Sequence, residues 1–317
     1  MKNKIKIFDD KLRNASSVAI MAHKNPDGDA LCSVLALGRL IEKNYGVKCT
    51  CIYDGNAPDY LDNIPLRKFA HCWSKLDLME PVDVAVLVDY GAEHQIGGPL
   101  KIVQDAKFVV EIDHHINENP IADLCFDDEN ADAAAVVLYR LMRDAKWDDD
   151  ADVRDLLSCA ILTDTGRFKF VKNAETLSIM ANLVNDGVSV RHLVEIMNNK
   201  PRKAVLVEAK ATGNAEFFYH NRLAVATIDR HDYRDMDGRG ELVLNLLGQI
   251  KGVEYVVLLK QQKEDQIGIS IRSRGAAIDA IAASFGGGGH TQAAGAVVRG
   301  DTLENVHDKI VKAFKGM

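Results

Sequence analysis

Three apolar runs in the first part of the chain each stop at a histidine or an aspartate. Residues 17–22 run into His23-Lys24-Asn25-Pro26-Asp27-Gly28-Asp29-Ala30, residues 82–88 run into Asp89, and residues 107–112 run into Asp113-His114-His115. Apart from Ser17, Asp83, Lys107 and Glu111, each run is apolar, as expected of a strand buried on both faces. Residues 33–42 follow the first run with helical spacing. Strands alternating with helices predict a parallel, doubly wound sheet. All strand C-termini of such a sheet share one edge, and ligands bind there. Pro26 and Gly28 shape the first turn at that edge.

The 317 residues are too many for one typical core and suit two domains. A leading helix is expected over 1–16, strands at 47–52, 82–89 and 107–112, a loop at 56–65, and helices at 131–143, 151–162 and 175–184. A more charged helical stretch, 187–210, is interrupted by Pro201. Beyond it the texture changes. Strands are expected at 222–228, 253–260, 266–272 and 293–298, with helices at 277–285 and 302–314. The expected layout is a domain over 1–188, a helical linker over 189–213 and a smaller α+β domain over 214–317. The active site is expected in the cleft between the domains.

Apolar residues make up 47% and charged residues 27%, as in an ordinary soluble protein. No apolar run approaches the ~18 residues that span a bilayer, so no membrane partner is expected. The first ten residues are basic but lack an apolar core and a cleavage site, so no signal peptide is read. The six cysteines form no Cys-x-x-Cys pair and sit mostly in apolar context, which suits free thiols in a reducing cytoplasm. Net charge is −7, against a broad basic face for long duplex nucleic acid. A small anion remains compatible where metals or a local arginine cluster supply positive charge.

The acids and imidazoles at the expected edge are His23, Asp27, Asp29, Asp89, His114, His115 and Asp164. His23 and Asp27 could reach one cation and Asp29 a second, with Asp89 as the natural bridge from a central strand. Four converging aspartates would repel one another without a cation. Carboxylates with a minority of imidazoles suit Mn²⁺ first and Mg²⁺ second, rather than structural zinc. Such a pair of ions can clamp an in-line attack on phosphorus. Each feature alone has a plainer reading. Asp-Gly is a common turn, and a strand-terminal Asp is often a helix N-cap. It is their coincidence on one edge that favours metal.

Farther on, Gly286-Gly287-Gly288-Gly289 leads into His290. Four glycines carry too much ordering entropy for a comfortable helix or strand, so a loop whose N–H groups approach an anion is expected. Arg272 and Arg274 alternate about Ser273, so both are expected on one face of a strand, holding a terminal phosphate or a base. Phe168 and Phe170 alternate on a strand-like segment, where core packing outweighs base stacking.

Taken together, His23-x-Asn-Pro-Asp27-Gly-Asp29-Ala-x-x-Ser33, Asp89, Asp113-His114-His115 and Thr163-Asp164-Thr165-Gly166 resemble the four motifs of the DHH phosphoesterase superfamily. Ser270-Ile-Arg272-Ser273 and the glycine run before His290 look like its DHHA1 substrate-binding domain. Length and layout look like the NrnA-type branch. Cys32 departs from the pattern, where many members have glycine.

The resemblance implies that His23, Asp27 and Asp89 hold one metal and that Asp29, Asp89, His114 and Asp164 hold the other. It gives Asp89 and His115 catalytic roles, His115 contacting the scissile phosphate or protonating the leaving oxygen. It makes Arg272, Ser273, Arg274, Gly287, Gly288, Gly289 and His290 substrate contacts. The implied activity is a metal-dependent phosphoric ester hydrolase acting on short single-stranded oligoribonucleotides, on 3′-phosphoadenosine 5′-phosphate (pAp), or on both. A cyclic-di-AMP or linear dinucleotide phosphodiesterase and an exopolyphosphatase share the layout. A non-catalytic nucleotide-binding protein is the alternative of another class. The reading also admits a homodimer.

Overall fold

The computed structural model describes residues 2–76, 80–115, 117, 119–236 and 240–317, with His290 described by its backbone alone. The chain divides into two units, Met1–Asn199 and Lys200–Met317.

In the first unit six strands form one parallel sheet: β1 (Val18–Met21), β2 (Cys49–Tyr53), β3 (Ala70–Cys72), β4 (Val84–Val88), β5 (Val109–Asp113) and β6 (Leu124–Asp127). Their order is β3-β2-β1-β4-β5-β6, every neighbouring pair is parallel, and the sequence reverses direction between β1 and β4. That reversal is the topological switch point, where an open sheet leaves a crevice at its carboxyl edge.

Helices cover both faces. They are α1 (Lys2–Arg13), α2 (Gly28–Tyr45), α3 (Glu93–Ile96), α4 (Leu100–Asp105), α5 (Ala134–Ala145), α6 (Ala151–Asp164), α7 (Ala174–Asn185) and α8 (Val190–Asn198). Strand alternation divides the core between the two faces. Val18 and Ile20 of β1 join the cluster under α2, α5 and α6, while Ala19 and Met21 join Ile96, Ile102 and Val103 on the other side.

Helix α2 begins five residues earlier than its apolar spacing alone suggests, because Asp27 caps it. The Asp27 carboxylate accepts the N–H of Ala30 at 3.2 Å. Gly46 ends it in the left-handed conformation, φ 68°. Its first turn runs close under α6. A Cβ on Gly28 would stand 2.3 Å from Thr163 Oγ1, so only glycine permits this approach.

The second unit holds α9 (Arg202–Gly213), β7 (Glu216–Phe218), β8 (Leu223–Ile228), α10 (Arg230–Tyr233), α11 (Glu241–Gly248), β9 (Tyr255–Lys263), β10 (Gln266–Ser273), α12 (Asp279–Ser284), β11 (Gly288–His290), β12 (Ala293–Arg299) and α13 (Leu303–Ala313). Its sheet has the order β11-β12-β10-β9-β8-β7. Only the β8–β9 pair is parallel. One face packs Val257, Leu259, Ile269 and Ile271 against Ile281, Ile310 and Phe314. The β8–β9 half of the other face packs Ala226, Val256 and Leu258 against Val207, Val243 and Leu247. The stretch expected as a linker, 189–213, consists of α8 in the first unit and α9 in the second.

Two expectations are corrected. The glycine run is partly strand, since Gly288 and Gly289 pair with Gly295 and Ala294 in β11–β12. The facing residues are small enough to allow it: a Cβ on Gly287 would lie 2.0 Å from the Gly295 carbonyl oxygen, and one on Gly289 2.6 Å from that of Ala293. Ordering entropy is offset here by a backbone approach that no larger residue could make.

The segment around Phe168 and Phe170 is a pair of tight turns and not a strand. Gly166, Arg167 and Phe168 all have positive φ. The chain doubles back, with the N–H of Arg167 donating to Leu162 and that of Phe170 to Thr165. Phe168 packs on the core, whereas Phe170 is exposed.

Candidate metal and phosphate site

The carboxyl edge of the first sheet gathers the seven expected groups. His23 follows β1, Asp27 caps α2, and Asp29 lies in its first turn. Asp89 follows β4, His114 and His115 follow β5, and Asp164 ends α6. They fall into overlapping groups: His23, Asp27 and Asp89; Asp29, His114 and Asp164; and Asp89, Asp113, His114 and His115. Asp89 and His114 belong to more than one.

The separations are informative. His23 Nε2 lies 3.9 Å from both Asp27 Oδ1 and Asp89 Oδ2. His114 Nε2 lies 3.5 Å from Asp89 Oδ1 and 3.6 Å from Asp164 Oδ2. These are too long for good hydrogen bonds. Two ligands that share one ion at about 2.1 Å stand roughly 3–4 Å apart, so the spacing suits donors that converge on cations. Asp89 Oδ1 is buried and makes no hydrogen bond among the described residues. An orphaned carboxylate oxygen facing two imidazoles is the chemistry a divalent ion would satisfy. Asp89 also has φ 51°, a strained backbone for a non-glycine residue, which turns its carboxylate toward this cluster.

Backbone carbonyls orient the imidazoles. His23 Nδ1 is 3.0 Å from the Lys24 oxygen and His114 Nδ1 is 3.3 Å from the Ala131 oxygen. With Nδ1 donating, Nε2 of each ring is left as the lone-pair nitrogen that faces the carboxylates.

Asp29 is held differently. Its Oδ2 accepts the N–H of Ala134 at 2.6 Å, and its Oδ1 accepts that of Ala135 at 3.1 Å and the Ser33 hydroxyl at 3.0 Å. It therefore caps α5 from another element, in place of the N-cap residue Ala133, which has no capping side chain. Three of its lone-pair sites are used in this way, and the one left lies on Oδ2.

Burial and crowding set the protonation. Burial, then Asp89 and Asp164, raise the Asp29 carboxyl far above its ordinary range. Burial, then Asp89 and Asp27, raise Asp164 to about 7 against the pull of His114. Burial opposes charge on His114, but Asp89, Asp29 and Asp164 outweigh it and lift the imidazole to about 10. Without a cation this edge therefore retains protons that a cation would displace.

Asp113 was given no role from the sequence and proves central. It is fully buried at the end of β5 and accepts His115 Nδ1 at 2.8 Å, the N–H groups of Tyr90 and Gly91 at 2.9 and 3.0 Å, and those of His114 and His115. Burial alone would raise its pKa, yet His115 and the N–H donors of Gly91 and His115 hold it at about 2. His115 is raised in turn, with burial overcome by Asp113 and Asp89. The available signal was position: Asp113 ends a buried strand directly before two histidines. Next to His115 lies a cavity of about 270 Å³ lined by Asn117, Asp127, Asp128 and Glu129.

In the second unit the expected substrate contacts disperse. Arg272 lies in β10 and its Nη2 pairs with Glu241 Oε1 at 2.6 Å. Arg274 lies past the strand end, and its guanidinium donates to the Gly248 carbonyl, Nε at 3.0 Å. Glu241 and Gly248 are the first and last residues of α11. At 1.5 Å per residue they stand ~10 Å apart, so the two arginines diverge and do not share one phosphate. The Ser273 hydroxyl is turned to the Ala276 carbonyl. Gly287, Gly288 and Gly289 lie against or within the β11–β12 pair. The side chain of His290, the remaining expected contact, lies outside the described residues.

Residues 17–163 match the family model described as DHH family, N-terminal domain, and residues 220–316 match the DHHA1 domain. Among curated proteins, the chain is similar to the Thermus thermophilus protein named bifunctional oligoribonuclease and PAP phosphatase NrnA, 27% identical over 302 residues and covering 94% of this chain and 89% of that one. Proteins of the same name from Bacillus subtilis and Mycoplasma genitalium are 25% and 28% identical, covering 89% and 93% of this chain and 89% and 91% of theirs. Among solved structures, an exopolyphosphatase-related protein from Bacteroides fragilis superposes with a TM-score of 0.89 at 22% identity, covering 99% of this chain and 97% of that one. That likeness shows the fold. The chain belongs to the DHH family of phosphoesterases, with a DHH domain followed by a DHHA1 domain.

Proposed function

We propose that this phosphoric ester hydrolase cleaves short single-stranded oligoribonucleotides and removes the 3′-phosphate of pAp. The observation that carries the reading is the convergence of His23, Asp27, Asp29, Asp89, His114 and Asp164 on one sheet edge, with Asp89 reaching both sides of the cluster. The names of the similar curated proteins supply the substrate class.

His23, Asp27 and Asp89 would hold one divalent cation, and Asp29, Asp89, His114 and Asp164 a second. Mn²⁺ is the ion proposed, because the donors mix carboxylates with imidazoles, and Mg²⁺ is the substitute. When bound, such ions supply Lewis acidity, neutralising charge on a phosphoryl group and acidifying water. The protein does the rest. The carbonyls of Lys24 and Ala131 fix the rings of His23 and His114. Asp113 fixes Nδ1 of His115 as a donor, which leaves Nε2 to exchange a proton with the leaving oxygen. The acidic wall of Asp127, Asp128 and Glu129 beside His115 repels a polyanion that runs past the reacting phosphate, which favours short substrates. Six free thiols suit a reducing compartment, and the cytoplasm is the one proposed. Among the described residues no helix is long and apolar enough to cross a membrane.

The test is hydrolysis with Mn²⁺ of pAp, the dinucleotide pApA, a long RNA, cyclic-di-AMP and polyphosphate. The reading expects pAp and pApA to be preferred. A preference for cyclic-di-AMP or polyphosphate, or equal turnover of long RNA and pApA, contradicts it.

A further inference from the structure

The chain between β6 and α5 meets the carboxyl-edge cluster twice. The Ala131 carbonyl oxygen lies 3.3 Å from His114 Nδ1, and the N–H groups of Ala134 and Ala135 donate to the Asp29 carboxylate at 2.6 and 3.1 Å. His114 and Asp29 are two of the groups assigned to the second cation, and on this side backbone groups orient both. Backbone can aim a metal ligand only where it is itself fixed. From 131 to 138 the sequence reads Ala-Asp-Ala-Ala-Ala-Val-Val-Leu, so Asp132 is the one side chain of this junction that can make a hydrogen bond.

Asp132 is 6% exposed, and its carboxylate reaches a third element. Oδ1 accepts the N–H of Lys172 at 2.9 Å, and Oδ2 accepts the N–H of Asn173 at 3.2 Å and the Thr176 hydroxyl at 2.7 Å. Lys172 and Asn173 close the stretch that leaves Asp164 at the end of α6, and Thr176 is fully buried in the first turn of α7. One carboxylate therefore ties the partner of His114, the partners of Asp29 and the chain beyond Asp164 into one knot. Bonds to a charged acceptor are about twice as strong as neutral ones, which suits an anchor. The groups assigned to the first cation have other supports. Asp27 takes the N–H of Ala30, His23 is set by the Lys24 carbonyl, and the turn of Asp89 is held through Tyr90 and Gly91 by Asp113.

We propose that Asp132 is a positioning residue that assembles the second-cation half of the site, while the first half forms without it. The role rests on the two-cation phosphoesterase reading given above and names the side chain on which one half of it depends.

Two variants test it on the full-length chain. Asp132→Asn turns one acceptor oxygen into a donor that faces a donor. Thr176→Val removes only the hydroxyl and keeps the branched shape. In calorimetric titration with Mn²⁺, Asp132→Asn should weaken one site about ten-fold or more and leave the other within about two-fold of wild type. Thr176→Val should do the same to a smaller degree, and Thr176→Ser, which keeps the hydroxyl, should retain most of the affinity. Added to His114→Ala, which already lacks the second site, Asp132→Asn should leave the remaining Mn²⁺ unmoved. The Mn²⁺ concentration for half-maximal pAp hydrolysis should rise about ten-fold, with kcat at saturating Mn²⁺ and KM for pAp little changed. In the metal-free chain, amide hydrogen exchange should quicken more at Ala134 and Ala135 than at Ile20 and Val86. Where Asp132→Asn does not fold, Thr176→Val gives the same readouts. Equal weakening of both sites, or two sites at full strength in the variants, overturns the role. Unchanged exchange at Ala134 and Ala135 overturns it whatever the chain binds. A wild type that takes up fewer than two Mn²⁺ refutes the two-cation reading, and quickened exchange at Ala134 and Ala135 then still keeps Asp132 as the anchor of the junction.

Discussion

Asp113 accepts the Nδ1–H of His115 at 2.8 Å from a position with no solvent exposure. The same carboxylate takes the N–H groups of Tyr90 and Gly91, directly after Asp89. One side chain therefore couples the ring of His115 to the strained turn that aims Asp89. In Asp113→Asn the ring loses its fixed tautomer and part of its positive shift. Activity on pAp is expected to fall about 100-fold or more, the size of loss that follows when a positioned acid–base group is impaired. The alkaline limb of the kcat–pH profile should move to lower pH, because His115 then gives up its proton more readily. A kcat within two-fold of wild type, with an unmoved profile, would remove Asp113 from the mechanism.

Above about pH 4, where carboxylates held low such as Asp113 are already ionised in both states, the stability of the metal-free chain is expected to fall as pH rises. His114 is raised to about 10, so its contribution is complete below its ordinary value of 6.5 and disappears as pH passes through about 10. Asp164 is raised to about 7, so the unfolded chain ionises first, near 3.8, and the fold loses stability from there up to about 7. Asp29 acts in the same direction. Mn²⁺ competes with these protons, so the Tm increase at saturating Mn²⁺ should be larger at about pH 8.5 than at about pH 6. Thermal melts at both values check this. An increase independent of pH would show that these groups do not face the ion.

Gly28→Ala should destabilise the first unit. The new methyl would stand 2.3 Å from Thr163 Oγ1, whose hydroxyl is already bonded to the Cys159 and Ala160 carbonyls at 3.1 and 2.8 Å. Overpacking of this kind costs about 1–3 kcal/mol. Because Thr163 precedes Asp164, weaker metal binding should accompany the loss. Denaturant unfolding read together with Mn²⁺ titration tests both, and a wild-type midpoint would show that α2 and α6 separate freely.

Gly287→Ala should destabilise the second unit for a different reason. The obstruction is backbone, the Gly295 carbonyl at 2.0 Å, which cannot rotate away as a side chain can. The β11–β12 pair should open, with faster amide hydrogen exchange over residues 293–296. Unchanged protection would mean that the run behaves as the loop its composition suggests.

The carboxyl-edge cluster was legible because a buried strand exposes only its ends. Where residues 82–88 stop, Asp89 must face the edge, whatever the tertiary detail. His23 and His114 follow the same rule. Asp113 was legible only as a position, the end of a buried strand before two histidines, since the direction of the last side chain of a strand depends on the twist of its neighbours. The glycine run misled because its cost was weighed without the small residues of β12 that pack against it. The two arginines around Ser273 alternate only while the strand lasts, and β10 ends at Ser273.

The central claim is that Asp89 serves two cations at once. The most direct measurement is Mn²⁺ binding to the wild type and to Asp89→Ala by calorimetry, with pAp hydrolysis assayed on the same samples. The account predicts two Mn²⁺ per wild-type chain. It also predicts weakened binding at both sites in the variant, with hydrolysis reduced to background. Two undiminished Mn²⁺ sites in Asp89→Ala, or near-normal hydrolysis without Asp89, would contradict it.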